Sequence, residues 1–111
     1  MSRADIVQAS LDAYNAQDLD AYCGFFTEDV VVANLGGATT TQGIGAYRAR
    51  YADTFAKFPK NHAELVNRIA LAETVIDHER VERGDGTTEA FEVAAIYSFR
   101  GDRIARVDFC K

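Results

Sequence analysis

A chain of 111 residues, 48% hydrophobic and 26% charged, can bury a sizeable core without disulfides or a structural metal and reads as one soluble globular domain spanning 1–111. Its formal charge of −5 argues against nucleic acid and anionic membrane as partners, because both need a basic patch. No apolar run reaches membrane-span length, MSRADIVQAS lacks the apolar core of a signal peptide, and Cys23 and Cys110 form no CxxC, so the expected setting is cytoplasmic with both thiols reduced.

Ser2 with Asp5 three residues on has the form of a capping box, and Ile6, Val7, Leu11 and Tyr14 follow at helical spacing, with Ser10 interrupting the stripe. Asp18 can cap a second, short helix carrying Leu19, Tyr22, Phe25 and Phe26. Val30 to Leu35 reads as a strand that stops at Gly36-Gly37, and the polar segment ATTTQG after it reads as a loop. Ile44, Tyr47, Tyr51, Phe55 and Phe58 make a third helical stripe, ended by Pro59, the only proline. Beyond it the period changes to that of strands, at about Asn61–Ala72, Thr74–Arg83, Thr87–Phe99 and Arg103–Cys110. Helices first and a strand meander afterwards predict an α+β fold with the helices on one face of an antiparallel sheet.

The segment TVIDHERVER, Thr74 to Arg83, carries four ionisable residues in a row, Asp77, His78, Glu79 and Arg80. Which of them face inward depends on the hairpin that follows. In the next strand Phe91, Val93, Ala95, Tyr97 and Phe99 form the heavier, more aromatic set and are expected to face the helices. If Asp85-Gly86 is a two-residue type I′ turn, Gly84 pairs with Thr87, His78 lies opposite Val93 and Arg80 opposite Phe91. Opposed residues share a face, so His78 and Arg80 point in and Asp77 and Glu79 point out. A three-residue loop reverses every one of these assignments. The Asp-Gly pair favours the first register.

YNAQDLDAYCGFFTEDVVV, then TTQGIGAYRARYADTF, then a meander ending in YSFRGDRIARVDF, resembles the NTF2-like superfamily over nearly the whole chain. The nearest branches are the SnoaL-like proteins and the ketosteroid isomerases. The resemblance implies a cystatin-like α+β cone, in which three N-terminal helices pack on a curved, mainly antiparallel sheet and enclose an apolar pocket. It also implies frequent homodimers. The steroid isomerase machinery does not carry over: Ser10 stands at the position of the catalytic tyrosine, Asn34 at that of the proton-shuttling aspartate, and Ala95 at that of the protonated aspartate. A carboxamide cannot take a proton from carbon, and each lost oxyanion donor forfeits roughly 3 kcal/mol. Tyr51 falls where that family supports its active site with a tyrosine. The same alignment places Asn67, His78 and Arg80 on the cavity side.

The expected pocket therefore holds Ser10, Tyr14, Asn34, Tyr51, Asn67, Arg80 and Tyr97 as substrate-binding groups, with His78 as the catalytic residue. Of the inward candidates, His78 alone exchanges protons near neutrality, which suits enolisation or cyclisation of a small, mainly apolar carbonyl compound without a cofactor. Bland alternatives stand beside each role. His78 can be a core histidine bonded to Asn67 or a tyrosine, Arg80 can pair with Glu82 or Glu89 at the rim, and Ser10 can bond back to its own helix. His62, His78 and Asp108 could in principle hold a metal, but His62 should face away from His78, and none is expected. Two other functions compete with an enzyme. One is a ligand-binding or sensing module without turnover. The other is a dimeric scaffold using the outer sheet face, with Val75, Val81, Ala94 and Ile96.

Overall fold

The capping signal at Ser2 is where the first helix begins. In a computed structural model that describes residues 1–111, α1 spans Arg3–Asn15, with the Asp5 amide donating to Ser2 Oγ and the Ser2 amide donating to the Asp5 carboxylate. A short α2, Leu19–Cys23, is capped by Asp18, whose carboxylate accepts from the Ala21 amide. The third helix, α3, spans Ile44–Lys57 and is followed by Pro59. The strands are β1 (Phe26–Asn34), β2 (Thr39–Gln42), β3 (His62–Ala70), β4 (Thr74–Glu82), β5 (Phe91–Arg100) and β6 (Arg103–Cys110). They form one sheet in the order β2-β1-β6-β5-β4-β3, antiparallel throughout except for the parallel β1–β6 pair. Three helices on a curved, mostly antiparallel six-stranded sheet give the α+β cone. No helix is long and apolar enough to cross a membrane.

Two boundaries differ from the sequence reading. Phe26 opens β1 rather than closing α2, because it sits opposite Ile104 and stacks on Tyr22 and Tyr47 in the core. ATTTQG is not a free loop: its three threonines, β-branched and suited to a pleated surface, build the edge strand β2, and Thr41 is buried against Val32.

The β4–β5 hairpin corrects the expected register. Val81 pairs with Phe91, Glu79 with Val93 and Asp77 with Ala95, one residue out of step with a two-residue turn at Asp85-Gly86. The loop is longer because Asp85 folds it on itself. Its carboxylate accepts from the amides of Thr87 and Thr88 and from the Thr88 hydroxyl, so the threonines expected to start β5 are spent in the turn. A slip of one residue flips every side chain. Asp77 and Glu79 face the helices and His78 and Arg80 face outward. Val75 and Val81 are inside as well, so they cannot belong to an outer docking face; Ala94, opposite His78, and Ile96, opposite Ile76, are on it.

A bulge in β3 makes the second correction. Leu65 pairs with Glu79 but Asn67 pairs with His78, leaving Val66 as the extra residue. Ala63 and Leu65 face in before the bulge, and Arg68 faces in after it. Asn67, expected inside, is therefore exposed on the outer side, as is Ile69.

Candidate active site

An open cavity of about 870 Å³ lies between α1, α3 and the concave face of the sheet. Its floor is a stack of aromatic rings. Tyr14 of α1, Tyr22 of α2 and Tyr51 of α3 line it, with Tyr47 and Phe55 of α3 packed behind them, edge-on or tilted, at centroid distances of 4.7–6.3 Å. Leu11, Val81, Phe91, Val93 and Phe109 supply apolar wall. Polar side chains make up much of the rest, and one of them is a carboxylic acid.

That group is Glu79, brought in by the β4 register. Its residue is 7% exposed, it lines the cavity, and no side chain or amide bonds to its carboxyl. Burial raises its pKa to about 7, repulsion from Asp77 adds to the rise, and attraction to Arg68 opposes it. Asp77, two residues back on the same face, is fully buried but fully partnered. Arg68 holds it with two bonds, Nε to Oδ1 at 2.6 Å and Nη2 to Oδ2 at 2.9 Å, the fork geometry of a strong ion pair. Arg68 Nη1 continues to Gln8 Oε1 at 3.0 Å, and Gln8 donates to Asp12 at 2.9 Å, which ties the pair to α1. The bulge at Val66 is what turns Arg68 toward Asp77. One buried carboxylate is thus neutralised, and the next is left to hold its own proton near neutrality.

Four tyrosines, Tyr14, Tyr22, Tyr51 and Tyr97, line the cavity with Glu79. Burial pushes the Tyr97 phenol well above its ordinary pKa, and the nearby Glu79 and Asp77 charges push it further. Burial raises Tyr14 as well, and repulsion from Tyr51 and Glu79 adds to the rise. Both stay protonated throughout the working range and so remain hydrogen-bond donors. Tyr14 Oη accepts a 2.7 Å bond from Asn61 Nδ2, which leaves its own proton free. Tyr51 completes the set at the cavity wall.

The mouth is cationic. Arg50 donates to the hydroxyls of Thr40 and Thr41 and lies over the rings of Tyr51 and Phe109. Arg83 donates to Asn61 Oδ1 at 3.0 Å and lies over Phe58 and Phe91.

The residues singled out from the sequence separate cleanly. Ser10, Tyr14, Asn34, Tyr51 and Tyr97 line the cavity. Ser10 is bonded back to Val7 O at 2.8 Å, and Asn34 sits exposed at the end of β1, on the rim rather than inside. His78, Arg80 and Asn67 do not reach it. His78 pairs with Glu92 across the outer face at 2.6 Å, with side chains 44% and 61% exposed, and Arg80 pairs with Glu82. The hairpin slip removes the first two and the β3 bulge removes the third. Glu79, Arg50 and Arg83 were missed. A signal for Glu79 was present in the sequence: Val75 and Val81 share its parity in β4, whereas the His78 parity offers only Ile76.

A family model described as "SnoaL-like domain" matches residues 7–107. A cystatin-fold protein of uncharacterised function from Novosphingobium aromaticivorans superposes with a TM-score of 0.94 at 39% identity, covering 100% of this chain and 99% of its own. A candidate polyketide cyclase from Sinorhizobium meliloti gives a TM-score of 0.81 at 24% identity, over 96% and 94% of the two chains. A protein with a ketosteroid isomerase-like fold from Catenulispora acidiphila gives 0.78 at 21% identity, over 96% and 84%. The last two are similar in fold. No curated protein matches the sequence.

Proposed function

The chain belongs to the SnoaL-like domain family of the NTF2-like superfamily, and from that premise we propose that it is an acid–base catalyst acting on a small carbonyl compound, with Glu79 as the proton carrier. The observation that carries the reading is the Glu79 carboxyl itself: more than nine-tenths buried, unbonded, and facing a cavity of about 870 Å³. A carboxyl with a pKa of about 7 is half ionised at neutral pH, so it both accepts and returns a proton with little loss. An ordinary structural carboxylate would have been partnered, as Asp77 is.

The chemistry follows from the surroundings. A ketone seated over the aromatic floor presents its carbonyl oxygen to the phenol protons of Tyr14 and Tyr97. Glu79 removes a proton from the carbon beside the carbonyl, and the negative charge moves onto the oxygen, where the two phenols stabilise it. Return of the proton to another carbon is an isomerisation. Attack of the enolate on a second carbonyl of the same molecule, with Glu79 protonating the new alkoxide, is a cyclisation. The likeness to a candidate polyketide cyclase and to a ketosteroid isomerase-like protein is compatible with either outcome.

Deuterium uptake tests the reading without knowledge of the physiological substrate. 1-Tetralone, acetophenone and 3-benzoylpropionate are incubated with the protein in D2O at neutral pH, and loss of the α-proton signal is followed by NMR. The protein is expected to exchange at least one of them about 100-fold faster than Glu79→Gln does. Exchange no faster than that of Glu79→Gln across all three overturns the proposal.

A further inference from the structure

The charge at the cavity mouth runs against that of the molecule. The chain carries 17 acidic and 12 basic residues, so an arginine has no shortage of carboxylates to meet. Arg48, Arg68, Arg80, Arg100 and Arg106 all meet one. Arg3, Arg50, Arg83 and Arg103 do not, and of these four Arg50 and Arg83 line the cavity. Each of the two is instead held by neutral groups that fix its place and leave its charge unspent. Arg83 is anchored by Asn61, an amide only 3% exposed, whose other end bonds Tyr14. Arg50 is anchored by the hydroxyl of Thr41, itself buried, and by that of Thr40.

These two cations come from different elements, and each lies over a ring that lines the cavity, Phe109 for Arg50 and Phe91 for Arg83. Arg50 projects from α3 with its guanidinium carbon 5.8 Å from the Phe109 centroid. Arg83 follows β4 and lies 5.1 Å from the Phe91 centroid, and Lys111 approaches that ring at 5.2 Å. Gathering like charges at one opening is unfavourable unless something of opposite sign meets them there, and no carboxylate of the protein does. A guanidinium that has given one donor to a neutral partner retains others in a planar fork suited to a carboxylate.

We infer that the substrate is an anion: a carboxylate-bearing carbonyl compound whose acid group is held at the cavity mouth by Arg50 and Arg83 while its apolar body extends inward to Glu79. This rests on the proposed function for what happens at the inner end, but recognition at the outer end is separable from it. The cationic rim keeps the substrate's own charge at the opening, away from the carboxyl that must exchange protons. It also discriminates against neutral ketones of the same shape.

A matched pair of probes tests the inference: 3-benzoylpropionate, an aryl ketone with a carboxylate, and 3-benzoylpropionamide, of equal shape and no charge. Dissociation constants are measured by calorimetry at neutral pH, on the unaltered protein and in a Glu79→Gln background. The acid is expected to bind about tenfold or more tightly than the amide in both, because a charge-assisted bond contributes that much and does not depend on turnover. The preference is expected to shrink as salt rises from about 20 mM to about 500 mM. Arg50→Gln with Arg83→Gln should reduce it to about twofold or less, and the paired lysine substitutions should retain part of it. Equal or weaker binding of the acid by the unaltered protein, absence of binding of the acid at about 10 mM, or a preference that survives removal of both arginines overturns the inference. Failure of deuterium exchange with the tenfold preference intact would remove the catalytic reading and leave an anion-binding pocket.

Discussion

Asp77 and Glu79 lie two residues apart on one face of one strand, and the fold treats them in opposite ways. Asp77 is sealed from solvent and bound twice by Arg68, which is itself tied to α1 through Gln8. Glu79 has almost the same burial and no bonding partner. Burying a charge without compensation is costly, so Asp77 is compensated by an ion pair and Glu79 by holding a proton. The first arrangement is that of a structural group. The second places a reactive group at the cavity wall, at the expense of stability above its pKa.

The largest effect expected from breaking this contrast is at Arg68. Arg68→Met leaves the Asp77 carboxylate buried and unpaired, and denaturant melts should show a loss of about 3–5 kcal/mol. Removing the guanidinium also removes the attraction that holds the Glu79 pKa down, so Glu79 should titrate at still higher pH in that variant. A variant within about 1 kcal/mol of the parent would show that the pair contributes little.

Glu79→Gln should act in the other direction, and only in one pH range. The folded pKa of about 7 lies above the ordinary glutamate value of 4.5, so between them the native state binds more protons than the unfolded chain. Stability is therefore full below the lower value and is lost as pH rises toward the upper one, by roughly 3 kcal/mol in all. Glutamine cannot ionise and escapes that loss. The two proteins should melt alike near pH 4, and the variant should be the more stable by up to that amount at pH 8. A difference independent of pH would contradict the shift.

The smallest effect is expected on the outer face. His78 and Glu92 form an exposed pair on the far side of the sheet from the cavity. His78→Ala should cost less than about 0.5 kcal/mol and leave deuterium exchange unchanged. A loss of exchange comparable to that of Glu79→Gln would return the catalytic role to the histidine.

The gross fold was legible because its signals are local. The capping box at Ser2, the aromatic stripe of α3 and the break at Pro59 each act within a few residues. The inner set of β5 was also readable from alternation, since Val93 and Ala95 are buried and Tyr97 and Phe99 pack on the core. Facing in β4 was not, because it depends on how many residues the hairpin loop consumes. Asp-Gly favours a tight turn, but Thr87 and Thr88 bring donors that Asp85 captures, and the loop lengthens. The bulge at Val66 is harder still to foresee. Nothing in its own composition marks it, and it is coupled to a contact across the sheet, between Arg68 and Asp77. Those two events decide which ionisable residues face the cavity: they turn His78, Arg80 and Asn67 away from it and Glu79 toward it, while Ser10, Tyr14, Tyr51 and Tyr97, whose positions do not depend on them, line it.

The central claim is that Glu79, alone among the acidic side chains, exchanges its proton near neutral pH from inside the cavity. The direct measurement is a carbon-13 NMR titration of the carboxyl groups from about pH 3 to pH 9, with the Glu79 resonance assigned by its absence in Glu79→Gln. A midpoint at about 7 is the predicted result. A midpoint near the ordinary value of 4.5 would mean that the carboxyl is solvated or partnered, and would contradict both the site and the function built on it.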